Sequence, residues 1–184
     1  MLILHAGQFE VIVENDSTFT PGAADNLRTY EHVHQLEPDS FTSSRHAVTV
    51  RNSNGQVATC LLMAGGGATD IHDNAGLVLG SYCLVAVGSC VASLDIPSLH
   101  LNWVAAVDQA TCFGIYHAPQ HNCLISHGEL EIARLSHQGE IIWKASGADI
   151  FTKGFTLQAH TVEAVDFNGR TYVFDIRTGQ EVEA

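Results

Sequence analysis

The sequence predicts an all-β protein made of antiparallel strands in repeated units of about 40 residues. Three observations carry this. Similar segments recur at a fixed spacing, short apolar runs alternate with polar residues and end at turn formers, and helical spacing is sustained nowhere in the second half.

Laid 40 residues apart without gaps, Leu84-Val85, Leu124-Ile125 and Ala164-Val165 coincide, as do Val91-Ala92-Ser93, Glu131-Ile132-Ala133 and Thr171-Tyr172-Val173. Trp103 and Trp143 also fall 40 apart, and the third copy has Glu183 where its tryptophan would stand. Upstream, Ala47 to Ala58 resembles Ile132 to Ile142 at a spacing of 84, which implies a weaker fourth copy with an insertion. Val162 to Phe167 and Arg170 to Ile176 flank Asn168-Gly169, and Asn54-Gly55 sits likewise between two apolar runs. Both read as hairpins with a type I′ turn. Residues 46–184 are therefore expected to hold the repeated β units of a single domain, preceded by a segment, 1–45, of undefined structure. Helix can be argued only for Ala23 to Leu36, which reads equally well as a loop between Pro21-Gly22 and Glu37-Pro38-Asp39-Ser40.

Strand, tight turn and strand at this period match the blade of a small or open β-propeller, with a β-sandwich as the alternative. Phe174-Asp175-Ile176-Arg177-Thr178-Gly179-Gln180 resembles the D-x-x-T-G turn of pyrroloquinoline-quinone-type (quinoprotein-like) propeller repeats. Gly139-Glu140-Ile141-Ile142-Trp143 is similar to the G-x-x-x-W that completes that motif, and Asp95 and Trp103 stand at the corresponding ends of the first copy. The resemblance covers about residues 84 to 184. No copy is complete: Asp95 lacks the Thr-Gly, Ser136 replaces the Asp beside Gly139, and Glu183 replaces the last Trp. Quinone-binding members of that family have about eight blades. This chain has room for four at most, so the resemblance implies the fold and no cofactor.

Hydrophobic residues make up 46% and charged ones 15%, enough apolar material for a core. The net charge of −12 opposes nucleic acid and anionic membrane surfaces as partners and favours a basic protein. Met1 to Glu14 lacks the pattern of a signal peptide, and the five cysteines include no CxxC pair. Both point to reduced core thiols and a cytoplasmic protein.

Eleven histidines are the main chemical feature, with His32 beside His34 and with His117, His121 and His127 around Cys123. Imidazole and thiolate are zinc-type ligands if three or four converge, and Glu129 could pair with an imidazole for acid-base work. His117 and His127 take positions whose repeat mates are apolar, so they are either satisfied core histidines or departures kept for a task. Asp70-Ile71-His72-Asp73 follows Gly65-Gly66-Gly67, which lacks P-loop order and reads as a flexible loop. Asp108, Asp149 and Asp166 read as turn caps. No Gly-x-Ser-x-Gly is present.

The leading expectation is a non-enzymatic, acidic binding domain for a protein partner, basic in character, or for a second copy paired through an unpaired sheet edge. The alternative is a metal-binding protein or metal-dependent hydrolase using His117, His121 and His127, supported by Cys123 or Glu129.

Overall fold

The computed structural model describes residues 1–37 and 41–183, so Pro38 to Ser40 of the expected turn lie outside the described residues. Among the described residues sixteen strands form four sheets. Sheet I holds β1 (Leu2–Ala6), β2 (Phe9–Asn15), β3 (His32–Gln35), β4 (Ser44–Asn52) and β5 (Gly55–Ala64), in the order β1-β2-β4-β5-β3. Sheet II is the meander β6 (Gly76–Leu79), β7 (Tyr82–Val87), β8 (Cys90–Asp95) and β9 (Leu101–Ala106). Sheet III is β10 (Cys112–Ala118), β11 (Cys123–Gly128), β12 (Glu131–Leu135) and β13 (Ile141–Ser146). Sheet IV is β14 (Gly154–Leu157), β15 (Thr161–Val165) and β16 (Thr171–Asp175), whose outer edge bridges to Glu181.

All pairings are antiparallel except β3 with β5. Sheet I is the expected fourth copy, but β3 belongs to an insertion between β2 and β4, ahead of the extra residues that the spacing of 84 implied. Within the insertion, Ala23 to Leu36 forms turns and then β3 rather than a helix. Its Phe19 and Tyr30 pack on Ala47, Leu61 and Met63 and cover the outer face of sheet I.

Alternation along each strand sends one set of side chains to each neighbouring sheet, so three cores lie between sheets rather than inside one. Cys60, Leu62, Cys83, Val85 and Leu94 fill the boundary of I and II. Leu84, Val91, Leu124 and Leu135 fill that of II and III, and Ile125, Ile132, Phe151, Val162 and Phe174 that of III and IV. All five cysteines are free and buried. Burial pushes the Cys83 thiol up to about 12, so it acts as a small apolar side chain. By the same alternation Thr161, Glu163, Thr171 and Asp175 lie on the face of sheet IV turned away from sheet III.

The gapless 40-residue register needs a correction. Across their hairpins Ser93 pairs with Trp103 and Arg134 with Trp143, so the third strands are offset by 41 residues while the tryptophans stay 40 apart. The turn restores the difference: Asp95 N donates to His100 O over five residues, but Ser136 N donates to Glu140 O over four. A one-residue slip moves each strand residue to the opposite face. The true counterpart of Arg134 is therefore Ser93, and that of Ser136 is Asp95.

Two further expectations change. Both hairpins exist, but only their glycines have positive φ, +88° at Gly169 and +116° at Gly55, so the turns are not type I′, which needs two such residues. The glycine triplet is tightly packed, not loose. A Cβ on Gly66 would collide with Ala110 O and one on Gly67 with Thr111 Oγ1, while Gly67 N donates to Ala110 O at 3.0 Å.

Candidate functional site

The structure does not bring the three sequence-predicted histidines together. His117 pairs with Leu124, whose side chain faces sheet II, so the His117 imidazole points to the boundary of II and III. His127 faces sheet IV, with its ring stacked on Phe155 at 4.5 Å and Nε2 donating to Phe151 O at 3.3 Å. Burial lowers its pKa to about 4, partly offset by that hydrogen bond. His121 ends the short 3₁₀ turn Pro119–His121, with Nε2 3.1 Å from His160 Nδ1.

Cys123 is buried, and burial pushes its thiol up against the pull of Arg134. Glu129 lies in the β11–β12 turn, at the opposite end of sheet III from His121. Among the described residues no group of three or more His, Cys, Asp or Glu side chains is placed to hold a metal ion. The Asp70–Asp73 ligands are also dispersed: Asp70 Oδ1 accepts from Asn15 Nδ2, and His72 Nε2 donates to Phe113 O at 2.7 Å.

The aspartates are turn and loop clamps. Asp108 is buried and accepts three backbone N–H groups, from Ala110 at 2.6 Å, Leu130 at 2.9 Å and Glu131 at 2.8 Å. It ties the loop entering sheet III to the β11–β12 turn. Asp149 accepts from Ile150 N and Asn168 Nδ2, and Asp166 from Arg170 N and the Tyr172 hydroxyl.

Apart from these contacts, an open cleft of about 690 Å³ lies between sheets II and III. Three turns and the outer strand β9 frame it. The β6–β7 turn brings Leu79, Gly80 and Tyr82, β9 brings Asn102 and Trp103, and sheet III brings His117 and His137. Their rings lie 5.5 Å apart, and burial, then His137, lowers the pKa of His117 and favours its neutral form. Trp103 Nε1 donates to His137 O at 3.1 Å, which fixes the indole against the β12–β13 turn. The lining carries no Asp, Glu, Lys or Arg although the whole chain is strongly acidic. Such a surface suits binding through aromatic packing and hydrogen bonds.

Only His117 of the sequence candidates reaches this cleft. Trp103 was visible as a repeat position. Ser93 was visible as one too, but aligned with Ala133, and it gains its meaning only in the register that pairs it with Trp103; Tyr82, His137 and Gln138 were not.

No protein-family model and no curated protein sequence matches the chain. Among solved structures it is similar to BamB from Moraxella catarrhalis, at 13% identity and a TM-score of 0.56, over 98% of this chain and 59% of that one. It is also similar to Kuenenia stuttgartiensis hydrazine synthase, at 16% identity and a TM-score of 0.56, over 90% of this chain and 51% of that one. The WD40 β-propeller domain of Doa1 aligns with a TM-score of 0.49 and 12% identity over 74% of this chain and 46% of that one. The chain thus spans about half the length of the structures it matches. Its fold is propeller-like, with four blade sheets in an open arc.

Proposed function

We propose that this protein is a non-enzymatic binding domain that engages a basic protein partner, with the cleft between sheets II and III as its recognition site. The observation that carries the reading is the composition of that cleft: Trp103, Tyr82 and two imidazoles around an uncharged hollow in a chain of net charge −12. An acidic field attracts a basic partner, while an uncharged aromatic hollow receives an anchoring side chain without desolvating a charge of its own. The buried free thiols fit a reducing compartment, so the cytoplasm is part of the proposal.

The test is selection of a displayed random peptide library on the full chain, followed by affinity measurement on Tyr82→Ala. Tyr82 is 45% exposed at the rim, so its truncation should leave the fold intact. Positively charged peptides should be enriched, and their affinity should drop at least about fivefold in the variant, the loss expected of an interface anchor. Absence of enrichment, or peptides indifferent to Tyr82→Ala, would overturn the reading.

A further inference from the structure

The cleft has a filled counterpart one boundary further along the arc. Between sheets III and IV the position equivalent to Ser93 is Arg134, since each pairs with the tryptophan of its outer strand and is followed by the same register shift. Arg134 Nη1 donates to Ile176 O at 3.3 Å and Arg177 O at 3.1 Å, and Nη2 to His121 O at 3.5 Å. Trp143 Nε1 donates to the same Ile176 O at 2.9 Å. A guanidinium thus fills that boundary and satisfies carbonyls of two turns, with no carboxylate among those contacts.

At the boundary of II and III the same scaffold lacks the guanidinium. Trp103 Nε1 bonds His137 O as Trp143 Nε1 bonds Ile176 O, so His137 and Gln138 correspond to Ile176 and Arg177. Gly80, in the β6–β7 turn, stands where the turn holding His121 stands. Ser93, Trp103, His137, Gln138 and Gly80 all line the cleft. With serine in place of arginine, Ser93 lies buried at the floor of the cleft, and the residues that correspond to the partners of Arg134 line it.

We propose that the cleft takes an arginine side chain of the protein partner, placed as Arg134 is placed within the chain. This rests on the binding-domain reading and names the group recognised. The planar guanidinium is the cation best suited to this geometry, because it donates to several carbonyls at once and packs against an indole, whereas an ammonium is compact and holds its water more strongly. The acidic field of the chain draws such a group in.

The test follows the two indole N–H signals of the full-length protein by nuclear magnetic resonance during titration with capped Gly-Arg-Gly, Gly-Lys-Gly and Gly-citrulline-Gly at millimolar concentrations. The arginine peptide should shift the Trp103 signal and leave Trp143 in place, with smaller shifts from lysine and citrulline. Ser93→Arg should fill the cleft from within, abolish the shift and keep or raise the melting temperature, while Ser93→Ala should retain binding. The peptide comparison stands without any variant, should Ser93→Arg fail to fold. No Trp103 shift with arginine, an equal shift with lysine, or tighter binding of free L-arginine than of the capped peptide would overturn the proposal. Selected peptides that depend on Tyr82 yet contain no arginine would overturn it while leaving the binding-domain reading intact.

Discussion

The indole of Trp103 lies against Gly139 so closely that a Cβ on that glycine would come within 2.5 Å of the ring, and the indole of Trp143 covers Gly179 with a corresponding 2.6 Å. Each tryptophan belongs to the outer strand of one sheet and each glycine to a turn of the next. These two contacts lock sheet II to III and III to IV in the same way.

Gly139→Ala should therefore destabilise the protein by about 3 kcal/mol, combining left-handed backbone strain at φ +83° with displacement of the indole. Gly7→Ala provides the reference. Its φ is +60° and nothing lies within 4 Å of the added Cβ, so only the strain of about 1 kcal/mol remains. Denaturant titration of both variants measures the ring contact as their difference, and equal losses would show that the packing contributes nothing.

Much of this arrangement was legible in the sequence. The Trp spacing, the Gly-x-x-x-Trp segment and the alternating strands indicated repeated sheets, and the weaker similarity around Val48 indicated a fourth copy, though not the segment with β3 that enters it between β2 and β4. The site was less legible because a gapless period conceals the single extra residue before Arg134. That residue exchanges the two faces of β11 and β12, so Arg134 aligns falsely with Leu94 instead of Ser93. The clustering of His117, His121 and His127 along the chain likewise gave no convergence, since a strand face, a turn and the opposite face of the next strand hold them apart.

Stability should fall on mild acidification because of His46 and His127. Burial lowers both to about 4, against an unfolded value near 6.5. Between those values the unfolded chain binds more protons, so stability rises with pH across the window and is fully present above about 6.5. Each histidine withdraws up to roughly 3 kcal/mol as pH falls towards 4. Denaturant titrations at several pH values should show this slope, and His127→Phe, which retains a ring beside Phe155, should flatten it. A slope unchanged in that variant would assign the acid sensitivity elsewhere.

Asp108→Ala should cost about 2 kcal/mol, because a buried carboxylate that accepts from three backbone donors, of which Glu131 N is itself buried, is lost. The loss should come with faster hydrogen exchange at Leu130 and Glu131, whose amides donate to this carboxylate. Normal protection at those two amides in a destabilised variant would place the effect in the Ala110 loop alone.

Arg134→Ser should convert the boundary of III and IV into a second cleft like the first. Arg177 O and His121 O would lose their side-chain donor, Ile176 O would keep only that of Trp143, and the guanidinium would leave a hollow beside Trp143, for a loss of about 2 to 4 kcal/mol. Because the missing group is a discrete cation, a small alkylguanidine at concentrations below denaturation should restore part of the melting temperature of Arg134→Ser while leaving the wild type unmoved. An equal response in both proteins would mean that the guanidinium acts only as covalent packing. The vacated space beside Ser93 would then have no claim to bind one from outside.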